Sequence, residues 1–160
     1  MLSKLLEIMM SYYNDVRLSE HAVKAYAYAS SIGAGENLSE HEHFILCAAA
    51  ILHDIGIPNA IKLHGSSKGE FQEKEGALLV PSMLEKAGMP GITDRVSWLV
   101  GHHHQESLAH TDLLIQILME ADHLVNLAEG SHPKEKAEDI RDSFFRTETG
   151  KRYISALFSI

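Results

Sequence analysis

Apolar residues recur every three to four positions along almost all of this chain, and nowhere do they alternate over the length of a strand. That period predicts an all-α protein, a bundle of about seven helices. A first helix over residues 2–13 is followed by a second over 16–32, whose inner stripe reads Leu18, His21, Ala25, Tyr28 and which Gly33 and Gly35 are expected to end. A third starts from a Ser39 cap with Glu42 at the capping-box position and runs through Phe44 and Leu52 toward Gly56 and Pro58. It is apolar nearly all round, the pattern of a buried, central helix. Residues 57–70, with Pro58, Gly65, Ser66, Ser67 and Gly69, read as the longest irregular connection, the kind of segment that tends to carry function. Further helices are predicted over 71–88, 91–104, 110–129 and 134–146, with a last amphipathic piece over 150–159, and Gly88, Pro90, Gly130 and Pro133 punctuate them.

No repeat, low-complexity stretch or linker divides the pattern, so residues 1–160 are expected to form one domain, and 45% hydrophobic residues are enough to fill its core. The formal charge of −8 argues against long nucleic acids as partners, which need a basic field. A small phosphorylated substrate is compatible with it, provided a metal ion or a few placed Lys and Arg supply local positive charge. Cys47 is the only cysteine and lies in the run Phe44-Ile45-Leu46-Cys47-Ala48-Ala49-Ala50, so it reads as a small core hydrophobe. The N-terminal stretch, interrupted by Glu7 and lacking a small-residue cleavage site, does not read as a signal peptide, and no run approaches the roughly 18 apolar residues of a membrane span. A cytoplasmic protein with no membrane partner is expected.

The chain carries 11 histidines, and their positions matter more than their number. His53 and Asp54 are adjacent at the end of the most apolar helix, directly after Ala48-Ala49-Ala50-Ile51-Leu52. Burying a carboxylate and an imidazole there costs several kcal/mol unless a charged partner offsets it, and a divalent cation is the most economical partner. Asp122 repeats the anomaly on the apolar stripe with Leu118, Ala121 and Val125, and His21 repeats it on the stripe with Leu18 and Ala25. Three inward helix faces therefore present His or Asp to the core. Such mixed ligands suit Mn, Fe, Zn, Co or Mg and do not choose among them. The remaining His41, His43, His110, His123 and His132 sit near helix ends or on polar faces and are expected in solvent.

This ordered set resembles the HD superfamily of metal-dependent phosphohydrolases, named for ligands in the order His, His-Asp, Asp on separate helices. The surrounding residues are similar too: Asp15, Arg17 and His21, then Ala50-Ile51-Leu52-His53-Asp54-Ile55-Gly56, then Glu120-Ala121-Asp122 with Leu124. The resemblance spans residues 15–127. It implies an HD-type bundle in which His21, His53, Asp54 and Asp122 hold one divalent metal, with helices over 134–159 packed on it. It also implies that two further histidines can hold a second metal. For the later one, His103 continues the stripe of Val96, Leu99 and Val100, with His102 next. The earlier one should precede Gly76-Ala77 by a turn, where this chain has Gln72-Glu73 instead, so Glu73 or the loop residue His64 would have to serve, and the second site is left open.

The activity implied is hydrolysis of a small phosphate ester, with nucleoside mono- or diphosphates as the family-level substrate class, by a metal that polarises the phosphoryl oxygen and lowers the pKa of a bound water. Asp54 would bridge two ions if both bind. Many relatives carry Lys where this chain has Ile57, so Arg17 and Lys68, with Lys62 behind them, are the expected phosphate contacts, and His104 or Glu106 the general acid. Two rivals remain: an HD-fold di-iron oxygenase, and a non-catalytic HD domain that binds a nucleotide or a partner protein. The run over 144–152 has no motif with a chemical reading and is expected to cover the bundle or a partner subunit, which leaves room for a homo-oligomer.

Overall fold

The computed structural model describes residues 1–130 and 133–160. Among them are nine α-helices and no strand: α1 (Leu2–Tyr13), α2 (Val16–Gly35), α3 (Glu40–Leu52), α4 (Ile57–His64), α5 (Gly69–Ala87), α6 (Thr93–Val100), α7 (Leu113–Glu129), α8 (Ala137–Ser143) and α9 (Glu148–Phe158). The class is the one the periodicity predicts, and the helix number is slightly higher.

Side-chain caps fix the starts of α2, α3, α7 and α9. Asp15 accepts from the Leu18 backbone N–H to begin α2, and Ser39 with Glu42 forms a complete capping box on α3. Asp112 accepts from both Leu114 and Ile115 to begin α7. As its all-round apolarity requires, α3 is the central rod: Leu46 through Leu52 are buried, and the helix packs against α1, α2, α6 and α7.

Several boundaries differ from the sequence pattern, among them the helix expected over 134–146, which is confined to Ala137–Ser143. Gly33 and Gly35 do not end α2 but lie within it, because both are sites of close approach: a Cβ on Gly35 would stand 2.3 Å from Thr149 Oγ1, and one on Gly33 would stand 3.0 Å from Leu38 and Leu46. The segment expected to be irregular contains α4. Pro58 falls in its first turn, where no backbone N–H needs a partner, and Gly65 closes it in the left-handed conformation (φ 65°). The helix expected over 91–104 stops at Val100, and residues 101–104 form a turn that carries His102, His103 and His104.

The C-terminal segment is clamped to α7 by Glu120. Its fully buried carboxylate accepts from the backbone N–H groups of Arg146 (2.7 Å) and Thr147 (3.0 Å), from Gln116 Nε2 (2.7 Å) and from the Thr147 hydroxyl. This brings α9 against α7 and α2, on the reverse of the helix that bears Asp122. Among the described residues no single helix is long and apolar enough to cross a membrane.

Candidate metal centre

A backbone carbonyl can only accept, so a ring nitrogen facing one carries the proton. His53 Nδ1 lies 2.8 Å from the Ala50 carbonyl, and His103 Nδ1 lies 2.8 Å from that of Val100. On His21 the same role falls to the Glu129 carboxylate, 2.9 Å from Nδ1. In its neutral form each of the three rings is thereby left with a lone pair on Nε2.

Those lone pairs meet one another and two carboxylates. His21 Nε2 is 3.3 Å from His53 Nε2, and Asp54 Oδ2 lies 3.4 Å from each. From another helix, Asp122 Oδ1 stands 3.1 Å from His21 Nε2 and 3.5 Å from His53 Nε2. Adjacent ligands held at metal–nitrogen distances of about 2.1 Å stand roughly 3.0–3.4 Å apart, so the spacing fits a transition-metal or magnesium-sized ion. His103 Nε2 strengthens the case: it is buried, has no hydrogen-bond partner, and faces Asp54 Oδ1 at 3.4 Å. A buried set of acceptors with no donor among them is stable only with a cation, or protons, inside it.

The ionisation of the cluster follows the same field. Burial disfavours the charged form of His53, but Asp54 and Asp122 outweigh it and raise its pKa well above the ordinary value. His21 is raised in the same way, burial being overcome chiefly by Asp122. Burial raises Asp54, yet His53 and His103 hold it well below the usual carboxylate range, and Asp122 is lowered by His21 and His53. Imidazolium and carboxylate thus stabilise each other wherever the metal does not.

His21, Asp54 and Asp122 open onto a cavity of about 630 Å³. Arg17, one turn before His21, lines it as the sequence suggests, and so does Lys24, whose ammonium is 3.1 Å from Glu129 Oε1. His104 and Asn126 form the boundary with a smaller cavity of about 380 Å³ that reaches Glu106 and His123.

Other predicted residues stand elsewhere. His102 turns away, its Nδ1 2.7 Å from the Trp98 carbonyl and its ring stacked on that indole at 4.7 Å. Glu73 is buried, but its carboxylate accepts from the His104 backbone N–H at 2.8 Å and from Gln105 at 3.4 Å, so it anchors the turn and lies outside both donor groups found among the described residues. His64 pairs with Glu75 at 2.8 Å and stacks on Phe71, so α4 carries it away from the centre. Lys68 and Lys62 are exposed and do not line the cavity. Of the histidines expected in solvent, His41 and His110 are exposed, His43 binds the Ser30 carbonyl at 2.8 Å, and His123 packs on Phe144 at 4.6 Å; His132 lies outside the described residues. Glu129 and Lys24 were not singled out by the sequence pattern, although each lies one or two turns from a ligand candidate on the same helix face.

An all-α bundle whose inward His and Asp side chains converge below a polar cavity has the donor set to hold a metal ion. Residues 18–127 match the HD domain, and the chain belongs to that family, whose members are commonly metal-dependent phosphohydrolases. No curated protein and no solved structure matches it.

Proposed function

We propose that this protein hydrolyses the phosphate ester of a small molecule. The observation that carries the reading is the convergence of His21, His53, Asp54 and Asp122 at the foot of a cavity walled by Arg17 and Lys24. These four residues would hold a divalent ion, which when bound supplies Lewis-acid polarisation of a phosphoryl oxygen and a water of lowered pKa.

The chain's own groups do the rest. Arg17 presents a permanently charged, planar fork of donors to the phosphate oxygens that face the cavity. Lys24 adds a second positive centre, tempered by its pairing with Glu129. Glu129 also keeps the proton of His21 on Nδ1, so that Nε2 stays a ligand. Of the two general-acid candidates, His104 lines the larger cavity and Glu106 stands on the smaller one, exposed and 3.9 Å from His123. The cavity has the size of a small-molecule site, and nucleoside monophosphates are the first substrates to try.

Release of inorganic phosphate by protein loaded with Mn, Fe or Zn, from a panel of nucleoside and sugar phosphates, tests this. Hydrolysis lost in Asp54→Ala supports it; no release from any ester by metal-loaded protein contradicts it. The donor group Asp54, His103 and His104 favours one rival, a di-iron oxygenase. Two irons per chain with no phosphate release would support that rival instead, and a chain that takes up no metal would be a binding module.

A further inference from the structure

Around α2 the side chains change character in one direction. With successive residues about 100° apart, His21 is followed round the helix by Arg17 and Lys24, then Glu20, then Val16 and Val23. His21 belongs to the metal centre, and Arg17 and Lys24 line the cavity above it. Val16 and Val23 line a second hollow of about 600 Å³, a groove between the last turn of α1 and the first turns of α2. Asp15, Glu20 and Lys24 lie on both, so the groove begins at the edge where the cavity ends.

The groove is built for something other than phosphate. Met10 from α1 and Val16 from α2 flank it, 42% and 73% exposed, and a half-buried Val23 completes the surface. None of the three has a side-chain hydrogen bond to give, so they favour apolar area that leaves water. The Lys24 ammonium is held in the cavity by Glu129 at 3.1 Å, which leaves its aliphatic stem to cover the shared edge. Asp15 and Glu20 place two carboxylates on that edge, and these repel any second anionic group that crosses it. A cavity with convergent polar groups that adjoins an apolar groove, each of small-molecule size, suits one ligand with two unlike ends.

We propose that the substrate is an amphiphilic phosphate monoester, whose uncharged alkyl or aryl alcohol part crosses the stem of Lys24 and rests on Met10, Val16 and Val23. The inference rests on the phosphohydrolase reading above and adds the class of the alcohol. Arg17 and Val16 diverge by about 100° on a helix some 10–12 Å across, a separation of roughly 10 Å over its surface. An ethyl ester is too short to span that distance, and an octyl ester is long enough. Hydrolysis breaks the P–O bond to the alcohol; water gives its oxygen to phosphorus and a proton to the departing alkoxide.

The test compares ethyl, butyl, hexyl and octyl phosphate, below their micellar concentrations, with glucose 6-phosphate and adenosine monophosphate on the Mn-loaded full chain. Each methylene that reaches the groove should raise kcat/KM by about twofold to fourfold, so octyl should exceed ethyl phosphate by roughly 10–100-fold. Met10→Gln combined with Val16→Asn makes two exposed positions polar without adding charge, and should cut the octyl-to-ethyl ratio by about tenfold. A ratio taken on one preparation does not depend on how much of it is folded or loaded. Calorimetric binding of octylphosphonate and ethylphosphonate, which carry no ester bond, gives a readout independent of turnover. The octyl compound should bind about tenfold tighter, a preference that the double variant loses. Esters hydrolysed with no rise along the series, a rise that the double variant keeps, or faster hydrolysis of glucose 6-phosphate or adenosine monophosphate than of octyl phosphate overturns the inference and leaves the phosphohydrolase standing. Preferred binding of octylphosphonate without hydrolysis of any ester supports the groove and overturns the activity. No preference in either assay overturns the groove.

Discussion

His21 on α2 and Glu129 at the last turn of α7 are joined by a 2.9 Å contact between Nδ1 and Oε2, the link that fixes the tautomer of a ligand candidate from outside the metal centre. Carboxylates behind ligating histidines of this kind orient the ring and raise its basicity, and their loss typically costs 10–100-fold in metal affinity. Glu129→Ala is therefore expected to weaken Mn(II) or Zn(II) binding by about one to two orders of magnitude. Competition against a chromophoric chelator measures this; unchanged affinity would leave Glu129 a simple partner of Lys24.

Cations inside and outside the cavity make a second comparison. Arg17 lines the site and Lys68 is exposed beyond it. A charge-assisted contact to phosphate contributes about 1.5–3 kcal/mol, so Arg17→Ala should lower kcat/KM by roughly 10–100-fold. Lys68→Ala should leave it unchanged within about twofold. Steady-state kinetics on the best substrate decides, and the reverse order would restore Lys68 as the phosphate contact.

Proton and metal compete for the same atoms, and the pKa shifts give the sign. The raised values of His21 and His53 put protons on the metal-free cluster near neutrality, so metal binding must release them. Apparent affinity should rise with pH, with proton release seen as a buffer-dependent heat in calorimetry. In chelator-treated protein the raised histidines contribute stability that is fully present below their unfolded value of 6.5 and is lost as pH rises from there through their higher folded values. Asp54 and Asp122 contribute stability present above the unfolded value of 3.8 and lost as pH falls through their lowered folded values. The melting temperature of the metal-free protein should thus fall below about pH 4, and fall again as pH rises beyond 6.5.

Gly56 tests the packing beneath the centre. A Cβ there would stand 2.1 Å from the Gln72 carbonyl oxygen and 2.4 Å from the Gly76 nitrogen, backbone atoms that cannot rotate away. Gly56→Ala should cost about 3 kcal/mol or more, some 6–12 °C in melting temperature. Gly91→Ala meets nothing within 4 Å and should stay within about 0.5 kcal/mol of the parent. Equal melting temperatures for the two variants would show that α4 and α5 separate more easily than their contact suggests.

How much of this could be read from the chain depends on how local each signal is. The convergence of His21, His53, Asp54 and Asp122 was legible because each interrupts an apolar stripe, and a charged residue on such a stripe needs an explanation that a surface residue does not. His103 was legible from the stripe of Val96, Leu99 and Val100, although the helix that carries the stripe ends before it. Gly33, Gly35 and Pro58 misled because the same residues serve opposite ends: glycine ends helices and also admits close neighbours, and proline breaks helices and also starts them. The pairing of Gln72 with His104 joins positions 32 apart and exists only because the chain turns at Gly101, so no periodicity announces it. Glu129 sits in a polar last turn, where a ligand's outer partner and a solvated acid look alike.

The central claim is that His21, His53, Asp54 and Asp122 hold a metal. Elemental analysis of purified, unchelated protein beside its His53→Ala variant addresses it directly, since His53 is fully buried and contacts every other member of the set. At least one ion per chain in the parent, and loss of that ion in the variant with the helical fold retained, is the result predicted here. A parent that stays metal-free after reconstitution with Mn, Fe and Zn would contradict it.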